Sequence, residues 1–205
     1  MRLSPRPGAR DGRRIGLLGG SFNPAHEGHR HISLAALARL GLDEVWWLVS
    51  PQNPLKPVKG MAPFAERLAS AAHVANHPRI KASDLESRLG THFTADTLEK
   101  LQARFPLTKF VWLMGADNLS QIPRWRRWNE IFHRLPIAVF ARPSYCLKGL
   151  AGLAAKRYAR WRIDPGTARR LADCPPPAWV FLATKLDPSS ATEIRAQAQK
   201  SKSKR

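Results

Sequence analysis

Apolar and polar positions follow two different periods along the chain. Short apolar segments that end at glycine, proline or a polar turn are typical of buried strands. They predict strands at 15–18, 44–50, 79–82, 109–114, 137–141 and 179–183. Between these segments apolar side chains recur every three or four residues, which predicts helices at 28–40, 63–76, 94–104, 125–135 and 190–200.

Strands that alternate with helices predict an α/β fold in which a parallel sheet is covered by helices on both faces. A chain of 205 residues, of which 43% are hydrophobic, can form one such domain. We assign the domain to residues 15–195, between a basic tail at 1–14 and a second basic tail at 196–205. The segment 145–177 shows no clear period, and we expect it to cover one edge of the sheet.

The stretch GGSFNPAHEGHRH follows the first predicted strand and holds three histidines and a glutamate within six residues. A zinc-protease motif needs a second histidine four residues after His26, but Arg30 occupies that position. Phosphate binding fits better, because the two glycines carry no side chain and the next helix directs its free amides at the turn. His26 before that helix and His29 in its first turn would then face one anion. Two surface histidines beside an ordinary turn remain the alternative.

Lysine and arginine outnumber the acidic residues, 34 to 15, which gives a net charge of +19. The charge indicates an anionic partner, and phosphorylated small molecules satisfy it as well as a nucleic acid does. No run of about 18 apolar residues is present, and no apolar segment of a secretory signal follows the basic N-terminus. We therefore expect a cytoplasmic protein without a membrane span, whose cysteines, Cys146 and Cys174, are reduced thiols.

Four motifs together resemble one known family. The sequence from Gly19 to His29 resembles the signature of the nucleotidyltransferases that carry an HxGH motif. The segments FTADTL at 93–98, GADNL at 115–119 with Trp125 behind it, and LDPSSATEIR at 186–195 follow in the family order. They narrow the resemblance to the bacterial nicotinate-mononucleotide adenylyltransferases and cover the chain from about 15 to 195.

Two positions depart from the pattern of that family. The loop after the second strand has Leu55 where histidine is usual, directly before Lys56. In the last motif Ala191 separates Ser190 from Thr192, where the family has Ser-Ser-Thr, so whether Ser189 or Ser190 contacts phosphate stays open.

The resemblance implies a doubly wound, Rossmann-like nucleotidyltransferase fold with the first strand beside the switch point. It implies the reaction of ATP with nicotinate mononucleotide to give nicotinate adenine dinucleotide and pyrophosphate in NAD biosynthesis. It also implies that the attack is direct and in line, without a covalent enzyme intermediate. Mg²⁺ is implied as a cofactor, bound mainly through the ATP phosphates, and no residue is assigned to a metal. Neither a nucleic acid nor a membrane is expected as a partner, and the oligomeric state is open.

The resemblance also carries residue roles. Catalysis is assigned to His26, His29 and Arg195, with His29 as the donor to the transition state. The residues expected to bind ATP are Gly19, Gly20, Ser21, Phe22, His26, His29, Ser189, Ser190, Thr192 and Arg195. The residues expected to bind the mononucleotide are Lys56, Thr94, Gly115, Asp117 and Trp125. Lys56 would meet the phosphate, Asp117 a ribose hydroxyl, Trp125 the face of the nicotinate ring and Thr94 its carboxylate.

Several other assignments stay open at the level of sequence. Within the superfamily, the acceptor could be nicotinamide mononucleotide or a phosphopantetheine. A class I aminoacyl-tRNA synthetase shares the HxGH logic but is a longer protein. A nucleic-acid-binding protein would use the arginines of the third quarter and the tails, and its binding would weaken steeply with salt. Three tryptophans within the predicted strands, Trp46, Trp47 and Trp112, are expected in the core, and His73 and His77 on a solvated helix face.

Overall fold

The computed structural model describes residues 12–51, 60–142 and 146–183. The strands of this part of the chain are β1 (Arg14–Gly20), β2 (Glu44–Val49), β3 (Ile80–Ser83), β4 (Lys109–Gly115), β5 (Ile137–Phe140) and β6 (Trp179–Leu182). The α-helices are α1 (Glu27–Arg39), α2 (Phe64–Ala75), α3 (Leu85–Arg88), α4 (Thr94–Arg104), α5 (Ala116–Gln121), α6 (Trp128–Arg134), α7 (Cys146–Ala151) and α8 (Leu153–Arg157). Three 3₁₀ helices span Ile122–Arg124, Ala159–Trp161 and Pro165–Asp173.

All six strands form one parallel sheet in the order β3-β2-β1-β4-β5-β6. The chain winds outwards from β1 to β3 and then returns to the centre to place β4 beside β1. The switch point therefore lies between β1 and β4, where an open parallel sheet leaves a crevice at the carboxyl ends of its strands. The predicted fold class and the position of the first strand are both confirmed.

Both faces of the sheet are buried, which explains why its strands are almost continuously apolar. In β2, Val45 and Trp47 pack on the face covered by α1, α2 and the 3₁₀ helix Pro165–Asp173. Trp46 packs on the opposite face, which α4, α5, α6 and α8 cover. Trp46, Trp47 and Trp112 are all at most 3% exposed, as expected for core residues.

The segment between β5 and β6 passes from one face of the sheet to the other. Ala154 and Ala155 of α8 belong to the core on the α4 face, whereas Leu171 of the 3₁₀ helix Pro165–Asp173 belongs to the core on the α1 face. Between them, the amide of Ile163 donates to the carbonyl of Trp179 (2.8 Å) along the outer side of β6. This part of the chain thus covers the sheet edge, as the sequence predicts.

One predicted helix begins later in the structure. The helix expected at 125–135 starts only at Trp128, because Arg127 has a left-handed backbone (φ 55°) and Trp125 is extended (φ −82°, ψ 142°). The sequence pattern also missed the short helices α3 and α5. The helix expected at 190–200 and most of the two tails lie outside the described residues, although Arg14 is already the first residue of β1.

Candidate active site

His26 and His29 lie together at the start of α1, directly beyond the carboxyl end of β1. His26 is the N-cap of the helix and is 6% exposed, and His29 is the third residue of its first turn. Their ring centroids are 3.9 Å apart. The sequence-based pairing of these two histidines at a helix N-terminus is thus present in the fold.

A hydrogen bond determines which nitrogen of neutral His29 carries its proton. The backbone N–H of His26 donates to Nδ1 of His29 (3.3 Å). Nδ1 must then be an acceptor, so the proton of the neutral ring is on Nε2. His29 is therefore prepared to donate from Nε2 to an anion held at the helix N-terminus.

A chain of buried contacts fixes the position of His29. Nε1 of Trp47 donates to Oγ of Ser33 (2.7 Å), and that hydroxyl donates to the carbonyl of His29 (2.8 Å). The ring of Phe22 stacks on Trp47 with 5.0 Å between centroids and lies 4.7 Å from the ring of His29. These contacts join the first turn of α1 to β2, so the imidazole is held by two elements of the core.

Phe22, which the sequence places at the ATP site, is 1% exposed, and its ring packs against that of His29. Its backbone is left-handed (φ 46°), a conformation that bulky residues rarely adopt. Such strain occurs mostly where the surrounding structure holds a functional loop in place. The side chain of Phe22 thus packs in the core, and its backbone shapes the turn before the histidines.

The two glycines of the turn have different surroundings. A Cβ on Gly19 would lie 2.5 Å from Cη2 of Trp112, whereas a Cβ on Gly20 would make ordinary contact at 3.4 Å with Phe22. The missing side chain of Gly19 makes room for an indole of β4. The expectation that both glycines leave room for a ligand stays a prediction.

The segments that carry Trp125 and Thr94 are joined by contacts between neighbouring residues. The guanidinium of Arg126 lies 4.7 Å from the ring of Phe93, and Nη1 of Arg127 is 2.7 Å from Oδ1 of Asp96. These contacts fasten the segment after Trp125 to the first turn of α4, which begins at Thr94. The half-buried indole of Trp125 stands edge-on to Trp112, with 6.4 Å between ring centroids.

Gly115 and Asp117 lie where β4 ends and α5 begins. Gly115 is the N-cap of α5, and a Cβ there would collide with the side chains of Asp117 and Arg142. Nε of Arg142 is 3.4 Å from Oδ1 of Asp117. The sequence analysis did not single out Arg142, although its position directly after the fifth strand was a usable signal.

Two further buried ionisable residues, Arg67 and Glu86, were also missed. Arg67 of α2 is 2% exposed, and burial lowers the pKa of its guanidinium. Glu86 of α3 is 6% exposed, and burial raises the pKa of its carboxyl to about 7, against the opposing hydrogen bond of Ser50. A signal existed for Arg67, because it shares the apolar face of its helix with Ala71 and Ala75.

The remaining predicted site residues, Lys56, Ser189, Ser190, Thr192 and Arg195, lie outside the described residues, and their roles stay predictions. Within the described ranges, no group of three or more histidine, cysteine or acidic side chains could hold a metal ion. In the same ranges, no helix is long and apolar enough to cross a membrane.

Comparison with known proteins gives a consistent result. The model of the family described as cytidylyltransferase-like matches residues 17–197. A probable nicotinate-nucleotide adenylyltransferase of Parvibaculum lavamentivorans is 54% identical over 184 residues, which cover 90% of this chain and 92% of that protein. A protein of the same name from Gluconacetobacter diazotrophicus is 52% identical over 196 residues, which cover 95% and 91%.

Solved structures show the same fold at much lower sequence identity. The nicotinic acid mononucleotide adenylyltransferase of Plasmodium falciparum, complexed with NaAD, superposes with a TM-score of 0.67 at 18% identity, over 90% of this chain and 83% of that one. A second structure of that enzyme, complexed with APC, gives a TM-score of 0.64 with the same coverage. The chain belongs to the cytidylyltransferase-like family and, within it, to the nicotinate-nucleotide adenylyltransferases.

Proposed function

We propose that this protein transfers the adenylyl group of ATP to nicotinate mononucleotide. The products are nicotinate adenine dinucleotide and pyrophosphate, and the reaction is a step in making NAD. The observation that carries the proposal is the pair His26 and His29 at the N-terminus of α1, beside the switch point of the sheet. The names of the relatives with about half of their residues identical support the same reaction.

The reaction requires alignment of two anions rather than a protein nucleophile. A phosphate oxygen of the mononucleotide attacks the α-phosphorus of ATP, and the bond from that phosphorus to the bridging oxygen of pyrophosphate breaks. Negative charge moves to the leaving group, so the site has to supply donors where that charge develops. Nε2–H of His29 and the positive N-terminal end of the α1 dipole are suitable sources of stabilisation.

Mg²⁺ is proposed to enter with ATP. Mg²⁺ gives up its bound waters reluctantly. In nucleotide sites it therefore keeps several of them and is held by one or two carboxylates together with the substrate phosphates. The imidazoles of His26 and His29 suit an anion better than this hard cation, and Asp117 is already paired with Arg142. When bound, Mg²⁺ offsets part of the phosphate charge, and the side chains of the chain orient the nucleotide.

The mononucleotide is proposed to bind between α4 and the turn before α6. Trp125 would stack on the nicotinate ring, and Thr94 with the nearby amides would bind the ring carboxylate. Asp117 would accept hydrogen bonds from a ribose hydroxyl, and Lys56 would contact the phosphate. The contacts of Arg126 with Phe93, one residue from Trp125 and Thr94, support this arrangement.

We also propose that the protein works in the cytoplasm on small phosphorylated substrates. The reaction explains the positive net charge of the protein without a nucleic-acid partner, because both substrates and both products are anions. Cys174 is a free thiol in the structure, which is compatible with a reducing compartment.

The proposal is tested by pyrophosphate release from ATP and Mg²⁺ with nicotinate mononucleotide, nicotinamide mononucleotide or phosphopantetheine in parallel. We expect release with nicotinate mononucleotide and much slower release with the amide. Equal rates with the two pyridine nucleotides would overturn the acid preference. Release with phosphopantetheine alone would overturn the assigned acceptor.

A further inference from the structure

Arg67 donates hydrogen bonds to four backbone carbonyls from a position inside the protein. Its Nη1 donates to the carbonyls of Ser21 (2.7 Å) and Ser50 (2.8 Å), its Nη2 to that of Pro51 (2.7 Å) and its Nε to that of Ala62 (3.0 Å). The side chain is 2% exposed. One planar guanidinium thus binds four acceptors that belong to three separate segments of the chain.

All these acceptors lie beside the two loops that the proposed reaction uses. Ser21 belongs to the loop between β1 and His26, while Pro51 and Ala62 lie just before and shortly after residues 52–59, which include Lys56. Asn23 adds two bonds between the same loops, because its Nδ2 donates to the carbonyl of Gly60 (3.1 Å) and its Oδ1 accepts from the amide of Ala62 (3.2 Å). The loop after β1 and both flanks of the loop after β2 therefore share one anchor.

The charge of Arg67 is held by carbonyl dipoles instead of a carboxylate. Within the described residues no acidic side chain lies within 4.0 Å of its guanidinium. An arginine keeps its proton even where burial lowers its pKa. Burying such a cation is costly unless its hydrogen bonds are nearly complete. Because burial of this cation costs free energy, we infer that Arg67 does more than fill space between α2 and the sheet.

We propose that Arg67 is a positioning residue for adenylyl transfer. It sets the distance between the loop that leads to His26 and His29 and the chain at Pro51 and Ala62, so that the ATP and mononucleotide phosphates meet in line. The inference rests on the proposed function. A misplacement of about 1 Å between reacting groups can cost about a hundredfold in rate.

Lysine cannot replace arginine in this role. An ammonium group has three donors at a single point, whereas the guanidinium has five in a planar fork that reaches acceptors on several sides. Arg67→Lys keeps the charge and loses the simultaneous contact with the three segments. Arg67→Met also removes the charge and leaves four carbonyls without their donor.

The experiment compares Arg67→Lys and Arg67→Met with Arg79→Met as a matched control. Arg79 also donates from a guanidinium to a loop carbonyl, that of Leu42 (2.9 Å), but at the amino edge of the sheet. For each protein kcat, the KM of both substrates and the thermal midpoint are measured. Hydrogen exchange is followed by mass spectrometry in peptides that contain Ser21 and Ala62.

We expect Arg67→Lys to fold and to lose at least tenfold in kcat, with smaller changes in both KM values. Exchange should rise together in the peptides with Ser21 and Ala62, and Arg79→Met should change neither quantity. Unchanged kcat in folded Arg67→Lys would overturn the proposal, and so would faster exchange confined to α2. If Arg67→Met does not fold, Arg67→Lys still decides.

The exchange measurement separates this proposal from the proposed function. If the unmodified protein releases no pyrophosphate with nicotinate mononucleotide, the assigned reaction fails. Coupled exchange of the two loops in Arg67→Lys would then still show that Arg67 anchors both, and uncoupled exchange would overturn that anchoring as well.

Discussion

His29 and His31 offer a test at the level of single residues, because they lie two positions apart on α1. A separation of two residues in an α-helix is about 200°, so the two imidazoles point to opposite sides. We predict that His29→Ala lowers kcat about a hundred- to a thousandfold, since it removes a donor to the charge that builds up in the transition state. His31→Ala removes no such donor, so its kcat should stay within about threefold of that of the unmodified protein.

Both variants are compared by initial rates of pyrophosphate release, with circular dichroism to verify the fold. An equal loss of activity in both would show that His29 acts through the stability of α1 rather than through its Nε2–H. Activity retained in His29→Ala would remove the histidine from the reaction.

Glu86 makes the stability of the protein depend on pH. Burial raises the pKa of its carboxyl from 4.5 in the unfolded chain to about 7 in the folded protein, so the folded state binds the proton more tightly. This contribution to stability is fully present below pH 4.5 and is lost as the pH rises through about 7, by about 3.5 kcal/mol in total at about 1.4 kcal/mol per pKa unit. Glu86→Gln keeps the shape of the neutral carboxyl and removes this dependence.

We predict that the advantage of Glu86→Gln over the unmodified protein grows by about 2–3 kcal/mol between pH 5 and pH 8. Urea unfolding at both pH values measures it, and Glu66→Gln, an exposed carboxylate in the first turn of α2, serves as the control. A difference that stays constant with pH would contradict the raised pKa of Glu86.

The turn between β1 and α1 gives the prediction at the level of secondary-structure elements. Gly19→Ala places a Cβ 2.5 Å from the indole of Trp112, and Gly20→Ala places one at 3.4 Å from Phe22. Overpacking in a dense core typically costs about 1–3 kcal/mol, so we predict that loss for Gly19→Ala and less than about 1 kcal/mol for Gly20→Ala. Denaturant unfolding of the two variants measures it, and equal stabilities would mean that the sheet yields at β4.

At the same scale, local sequence signals explain which elements could be predicted. The helix α1 has a regular apolar face, and Gly41 behind it takes the left-handed conformation (φ 62°) that ends many helices. The start of α6 could not be predicted, because Trp125, Trp128 and Phe132 have helical spacing. Arg127, at the break, pairs with Asp96 and with Glu130, and only the fold brings Asp96 into reach.

At the scale of the whole molecule, the parallel sheet could be predicted from buried strands that alternate with helices. The position of β1 beside the switch point came from the resemblance of the sequence to a known family. The pairing of His26 with His29 was predictable because both lie in one local motif. The anchor at Arg67 was not, since its acceptors lie 5 to 46 positions away in sequence. Such contacts depend on how α2 packs against two strands, which periodicity does not describe.

The positive charge also has a distribution that composition does not show. Lys109 and Arg14 bind Asp173 at the amino edge of the sheet, and the hydrogen bond of Lys109, with the charge of Arg14, lowers the pKa of that carboxyl. His26, His29, Arg67 and Arg142 lie at the opposite edge, where the loops meet. Of these four, Arg67 is bound by backbone carbonyls and Arg142 is paired with Asp117. His26 and His29 are therefore the groups that we propose to meet the substrate anions.

The most direct measurement is a competition between nicotinate and nicotinamide mononucleotide for the purified protein, with limiting ATP and Mg²⁺. The two dinucleotide products are quantified by mass spectrometry, and their ratio at equal substrate concentrations gives the ratio of kcat/KM. We predict that the acid product exceeds the amide product by at least tenfold and that both form about a hundredfold or more slowly with His29→Ala. Equal amounts of the two products would contradict the assigned substrate. Dinucleotide formation that is as fast with His29→Ala as with the unmodified protein would contradict the assigned site.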